Sequence, residues 1–299
     1  MDDTDAMWML FRAIALAVLA IIGLLVAAQG PWLFGVVDRG LELAGTGIPL
    51  PRAEPTRSTP AAVGGLVLGA VIALTSPTRR AMSQIVTLLH ELGHTVVAAA
   101  LGARPSGIVL RHDASGHATA RWVGTPTPWR RVALALVAFA GLPAAATASA
   151  AGARLLVLAG PQPVLWSFAT AGIVVAVLAR SVWSLLIAGS LIGLAALALS
   201  DAGQPVSAAA VVALLTATAV RVASDSGRSL GQPIGEGADA RAVGDHLHLP
   251  ARLVQLVQLA VAVALSVWTV WLLLPSLPSL PSLPSLPSLL PLPSSTWPS

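Results

Sequence analysis

Long apolar segments dominate this chain and limit the folds that are open to it. Eight such segments run along the sequence, each close to the roughly 20 residues that a helix needs to cross a bilayer. They cover residues 7–28, 61–76, 81–101, 132–158, 164–179, 182–199, 206–220 and 253–274. With 56% hydrophobic and only 10% charged residues, the chain has too little polar material to cover a soluble surface. We therefore predict an all-α multi-pass membrane protein with about eight transmembrane helices.

The sequence divides into a predicted membrane domain, residues 1–274, and a low-complexity tail, residues 275–299. The first apolar segment follows an acidic head, whereas a cleaved signal peptide has a basic head and a shorter apolar core. We therefore interpret this segment as a retained transmembrane helix. In the tail a proline at nearly every third position excludes helix and sheet ladders and favours an extended spacer. We expect the protein in a cell membrane.

Two features of the composition exclude classes of function. The chain has no cysteine, so disulfides and thiolate metal sites are absent. The net charge of +4 comes without a basic face or a stacking aromatic surface, so we predict no nucleic-acid partner. The lipid bilayer is the partner that the composition does predict.

The third apolar segment contains the stretch TLLHELGHTVV, in which three ionisable residues interrupt an apolar run. Such residues are costly at membrane depth, so they indicate a functional site. His90 and His94 are four residues apart and lie on one face of a helix, where two imidazoles can bind one zinc ion. Glu91 can then hold a water molecule and accept its proton, as in other H-E-x-x-H sites. We expect Gly93 to leave room for a backbone near the metal.

A β-hairpin is predicted directly after this helix. β-Branched residues flank a turn-forming cluster at residues 113–116, with strands around residues 108–110 and 118–122. An exposed strand edge beside the metal could hold an extended peptide by β-strand addition. The alternative is a short hairpin without a binding role.

Taken in order, several motifs resemble the site-2 protease-like intramembrane zinc metallopeptidases, and above all their compact bacterial branch, often found in actinobacteria. The motifs are LLHELGH, the hairpin GARPSGIVLRHDASGHATAR, AFAGLP, ARSVW and GADARAVGDHLHLPARLV, which together span most of residues 80–270. Ser181 stands where the fourth motif usually has asparagine, and Ala238 stands where the fifth has serine. The resemblance implies a zinc cofactor bound by His90, His94 and Asp239, with Glu91 as the catalytic base.

From the residues alone, the third zinc ligand stays open. Two other clusters offer alternatives, one beside the predicted hairpin turn and one before the last apolar segment. They comprise His112, Asp113 and His117, and Asp245, His246 and His248.

Three functions are consistent with these features. The first is an integral membrane zinc endopeptidase that hydrolyses peptide bonds in or near transmembrane segments of another membrane protein. The second is a catalytically inactive family member that serves as a membrane scaffold or binding protein, which the departures at Ser181 and Ala238 allow. The third is a transporter, although the sequence contains no internal repeat of the kind that many transporters have.

Overall fold

A computed structural model describes residues 59–122, 128–200, 204–235 and 238–274, which form eight helices and one β-hairpin. The helices are α1 (Thr59–Leu74), α2 (Ser76–Ala100), α3 (Pro128–Ala159), α4 (Pro161–Leu178), α5 (Val182–Leu199), α6 (Gln204–Leu230), α7 (Asp239–Leu247) and α8 (Ala251–Leu273). The strands are β1 (Arg104–Leu110) and β2 (Gly116–Arg121), between α2 and α3. The predicted first transmembrane segment, residues 7–28, and the predicted tail lie outside the described residues.

Five of the described helices are long and apolar enough to cross a membrane: α3, α4, α5, α6 and α8. Helices α1 and α2 are bent by 94° relative to each other and would add a sixth span only if they count as one broken span. The sequence predicts two separate spans here. This prediction is not confirmed, because α1 has only 16 residues and α2 carries arginine, glutamine, histidine and glutamate side chains along its length, which lower its hydropathy.

Helix α6 continues well beyond the apolar segment predicted at residues 206–220. Its last turns contain Arg221 and Asp225, whose side chains form an ion pair of 2.8 Å with the i, i+4 spacing that favours a helix. Arg228 approaches the same carboxylate at 3.3 Å. Local charge pairing therefore extends the helix into a stretch whose polarity suggests a loop.

The polar composition of residues 223–250 predicts a loop, but part of this stretch forms helix α7. Asp239 is the first residue of this nine-residue helix. The buried side chains of Ala240 and Val243 pack against Ala135 of α3. This packing gives the short helix a fixed place beside the membrane-spanning helices.

Helix α2 lies between the hairpin on one side and α3 on the other. Leu88 packs with Ile108 and Leu110 of β1, and all three are almost completely inaccessible to solvent. Leu89, the next residue, packs instead with Ala145 of α3. The H-E-x-x-H motif, which follows directly on α2, therefore lies between the hairpin and α3.

The predicted hairpin is confirmed. Strands β1 and β2 pair antiparallel, with Ile108 opposite Ala118 and an irregularity in register between Pro105 and Gly107. The turn packs on α2, where Gln84 donates a hydrogen bond to the Arg111 carbonyl oxygen at 2.7 Å. The hairpin therefore lies along the helix that carries the H-E-x-x-H motif.

Candidate metal centre

Three side chains from two helices converge on one point. Nε2 of His90 and Nε2 of His94 lie 3.1 Å apart on adjacent turns of α2. Oδ2 of Asp239, at the start of α7, lies 3.0 Å from the first nitrogen and 3.3 Å from the second. Among the described residues, these three form the one group whose ligand atoms all lie within 4.8 Å of one another and could hold a metal ion.

The geometry of this group fits a single zinc ion. Ligand atoms that bind one tetrahedral zinc at about 2.1 Å lie about 3.4 Å from one another. The separations of 3.0–3.3 Å reach that value with small side-chain movements. Two imidazoles and one carboxylate leave a fourth position for water, as in catalytic rather than structural zinc sites.

Asp239 is fixed by its surroundings on both sides. Ala238, the residue at the helix N-cap, makes no side-chain capping bond. Arg241 of α7 donates a hydrogen bond to the Ile234 carbonyl oxygen at 2.9 Å and so connects the helix to the segment before it. Burial raises the pKa of Asp239, but the hydrogen bonds from His90 and His94 outweigh burial and hold the pKa below its usual range. The carboxylate is therefore in the ionised form that binds metal.

Helix α3 contacts the two histidines directly. Nδ1 of His94 donates a hydrogen bond to the Val137 carbonyl oxygen at 2.7 Å, which leaves Nε2 free to bind a metal. Gly141 lies one turn further along α3, and a Cβ atom there would overlap the His94 ring and lie 2.7 Å from Nε2 of His90. Glycine is thus required at this point because the helix backbone touches both rings.

Gly93 leaves room for the backbone of α3, as expected from the sequence. A Cβ atom at Gly93 would overlap Ala144 and lie 3.0 Å from the Ala140 carbonyl oxygen, so this glycine lets α2 and α3 approach each other. The glycine against the imidazoles is Gly141. The sequence motif AFAGLP contains it, but nothing local to that motif indicates which helix it faces.

Glu91 is buried beside the two histidines, with 5% of its surface exposed. The backbone of Ala118 in β2 lies beside its carboxylate. Thr87, one turn earlier on α2, donates a hydrogen bond to the Ala114 carbonyl oxygen at 2.8 Å. The hairpin therefore closes over the glutamate and orients it.

The outer edge of β1 is already occupied by the turn between α4 and α5. Ser181 donates a hydrogen bond to the Leu110 carbonyl oxygen at 2.8 Å, and Ser184 donates one to the Ile108 carbonyl oxygen at 3.1 Å. The Leu110 N–H donates to the Ser184 hydroxyl at 3.0 Å, and the Arg180 N–H donates to the Ile108 carbonyl oxygen at 3.0 Å. Together these groups form hydrogen bonds along the outer edge of β1, as a neighbouring strand would.

The outer edge of β2 has no neighbouring strand among the described residues. The Ile108 carbonyl bonds to Arg180 and therefore points away from β2. Ala118 is opposite Ile108 in the antiparallel register, so its N–H and carbonyl point away from β1. Thr119, Ala120 and Arg121 are exposed on the same strand. Ala118 faces Glu91, and from Thr119 onward this edge pairs with no other strand in the part of the chain that the structure describes.

The other histidine clusters do not reach the candidate centre. Asp113 is fully exposed and accepts hydrogen bonds from the side chain and backbone of Ser115, which lower its pKa, so it stabilises the hairpin turn. His248 adopts the left-handed conformation that ends α7. No second group of three metal-binding side chains forms anywhere in the described ranges.

Comparison with known proteins gives one match. The model of a family described as Peptidase M50B-like matches residues 63–269 of the chain. This range includes α2, the hairpin and α7, and so contains every residue of the candidate centre. No curated protein and no solved structure matches the chain.

Proposed function

The chain belongs to the Peptidase M50B-like family, and on that premise we propose that it is an integral membrane zinc endopeptidase. Its substrates would be other membrane proteins, cleaved in or near a transmembrane segment. The observation that carries the proposal is the convergence of His90, His94 and Asp239 within 3.0–3.3 Å, with Glu91 beside them. Five apolar helices and the family support a membrane location.

His90, His94 and Asp239 would hold the zinc ion through Nε2, Nε2 and Oδ2. When bound, zinc supplies Lewis-acid polarisation of the substrate carbonyl and makes water a stronger nucleophile at neutral pH. The carbonyl of Val137 keeps the His94 ring in the tautomer that offers Nε2 as a ligand. Gly141 keeps the space beside both Nε2 atoms free of side-chain atoms.

Glu91 would orient the attacking water molecule and accept its proton. It follows the proposed ligand His90 directly in sequence, as the glutamate does in other H-E-x-x-H sites. The backbone of Ala118 lies beside this carboxylate. Proton transfer to the leaving amine would return Glu91 to its ionised form.

The free edge of β2 would bind the substrate as an added strand. A peptide bond reaches a protease in an extended form, and main-chain hydrogen bonds along an edge strand hold that form without regard to side chains. The edge runs past Glu91 because Ala118 contacts that carboxylate. A substrate segment paired there would bring its backbone to the proposed zinc.

The test measures zinc and proteolysis on the same purified protein in detergent. Wild type should hold one zinc per chain and cleave members of a panel of single-span membrane proteins, with products identified by mass spectrometry. Glu91→Gln should keep zinc and lose cleavage by at least about a hundredfold, as expected for a general base. His90→Ala and Asp239→Ala should lose both.

His246→Ala is the matched control, because this histidine lies on α7 with Asp239 but is not in the convergent group. It should keep zinc and cleavage. Cleavage that persists in Glu91→Gln would contradict the proposed base. Zinc binding without any Glu91-dependent cleavage would favour the inactive scaffold, and a wild type without zinc under metal-replete conditions would contradict the metal centre.

A further inference from the structure

Pro143 opens the backbone hydrogen-bond ladder of α3 close to the candidate metal centre. Proline has no N–H, so the carbonyl four residues earlier, that of Phe139, loses its partner within the helix. In a membrane-spanning helix such a carbonyl needs another donor, because no water is available in the hydrocarbon region. The partner has to come from a neighbouring helix.

Gln258 of α8 supplies that donor. Its Nε2 lies 3.2 Å from the Phe139 carbonyl oxygen and 3.5 Å from that of Ala138. Its side chain is 1% exposed, in a helix whose other residues are mostly apolar. A buried amide is costly unless it is hydrogen-bonded, so the glutamine and the freed carbonyl satisfy each other.

The same turn of α3 supports the metal ligands. Val137 accepts the hydrogen bond from His94, and Gly141 touches both imidazole rings. Phe139, between them, packs against the cluster that includes Ala240, the residue after Asp239. Any shift in the backbone of this turn would therefore move ligands from both α2 and α7.

We propose that Gln258 is a positioning residue for the metal centre. By bonding the carbonyl that Pro143 frees, it holds residues 137–141 of α3 in the geometry that orients His94 and seats α7. It touches neither substrate nor metal and acts only through α3. The inference rests on the proposed metal centre.

The experiment measures binding of Co²⁺, added alone to the metal-free protein in detergent, by its visible absorption spectrum. Cobalt replaces zinc in such sites and reports ligand geometry, whereas zinc has no absorption of this kind. Gln258→Met keeps the side-chain length and removes the donor. It should bind Co²⁺ about tenfold more weakly and with an altered spectrum, as for loss of groups that support metal ligands.

Thr269→Val is the matched control. Thr269 is fully buried on the same helix, but its hydroxyl donates only to the Leu265 carbonyl oxygen of α8 itself. This isosteric variant should bind Co²⁺ like the wild type. Equal weakening in both variants would contradict the proposal, because loss of any buried polar group of α8 would then explain the effect.

A second substitution tests the mechanism. Pro143→Ala restores an N–H that can bond to the Phe139 carbonyl oxygen, so Gln258 should become dispensable in that background. The double variant Pro143→Ala/Gln258→Met should therefore bind Co²⁺ within about threefold of Pro143→Ala alone. If Gln258→Met weakens binding as much in this background as in the wild type, the freed carbonyl is not what Gln258 serves.

Failure of this inference is distinguishable from failure of the proposed function. A wild type that binds no Co²⁺ would overturn the metal centre and the inference with it. Wild-type affinity and spectrum in folded Gln258→Met would overturn the inference alone. Where Gln258→Met does not fold, Gln258→Asn, which keeps the amide but is one methylene shorter, should show the same weakening, and its absence would have the same meaning.

Discussion

Gly141 of α3 and His94 of α2 are in direct contact, and the contact leaves no space for a methyl group between them. The same methyl group would also meet Nε2 of His90 at 2.7 Å. A glycine inside a helix is normally destabilising by about 1 kcal/mol relative to alanine. Here the glycine lets the metal-binding face of α2 lie against the backbone of α3.

Gly141→Ala should therefore abolish or strongly weaken zinc binding, although alanine is the better helix former. We expect at least a tenfold loss of zinc affinity, measured by competition with a chromophoric chelator. Gly189→Ala in α5 is the control, because a Cβ atom there meets nothing within 4 Å. An unchanged affinity in Gly141→Ala would show that the rings can move without cost to the site.

Removal of the two hydroxyls that bond the edge of β1 should loosen the hairpin. In Ser181→Ala/Ser184→Ala the buried N–H and carbonyl of Leu110 lose their partners, at a cost of about 1–3 kcal/mol for each group left unsatisfied, and the Ile108 carbonyl keeps only the Arg180 N–H. Hydrogen–deuterium exchange of residues 104–121 should accelerate, while zinc content stays unchanged. Ser190→Ala in α5, whose hydroxyl bonds only within its own helix, should leave the exchange as in the wild type.

Ser181→Asn provides the opposite test at the same position. An asparagine amide carries both a donor and an acceptor and can replace a strand backbone at this edge. We expect slow hairpin exchange to be retained in Ser181→Asn. Exchange as fast as in the double serine variant would contradict the role given to this turn.

Zinc affinity should fall as the pH falls. Protons compete with the metal for Nε2 of His90 and Nε2 of His94, so each displaced proton contributes about one logarithmic unit of affinity per pH unit in acid. Asp239 adds little to this slope, because its pKa lies below the usual range and it stays ionised. Isothermal titration at constant ionic strength should show this fall in zinc affinity across about pH 5–8. That range extends over about three units around the usual pKa of histidine. A flat profile would contradict ligation by the histidines.

Metal removal should lower the thermal stability of the wild type. A ligand present at 100 times its dissociation constant stabilises the folded state by about 2.7 kcal/mol. Addition of a strong chelator should therefore decrease Tm in detergent. In Asp239→Ala the chelator should leave Tm unchanged, whereas His246→Ala should respond like the wild type. A chelator effect of wild-type size in Asp239→Ala would indicate a different third ligand.

Some parts of the site could be predicted because they depend on local spacing. The separation of His90 and His94 by four residues places them on one helix face in any sequence context. The hairpin was also predictable, since turn-forming residues between β-branched stretches act locally. Asp239 came only from the family resemblance, and its position at the start of a helix was missed because the polar residues around it suggest a loop.

Sequence alone determined that the chain enters a membrane, that α2 carries two imidazoles and a carboxylate together, and that a hairpin follows. The first follows from composition, and the other two follow from patterns among residues that are close together in sequence. Only the tertiary structure decided that Asp239 from α7 and the backbone at Gly141 meet the motif, and that Gln258 lies opposite the α3 carbonyl that Pro143 frees. Those contacts join residues far apart in sequence, and helix packing, which no local pattern encodes, selects them.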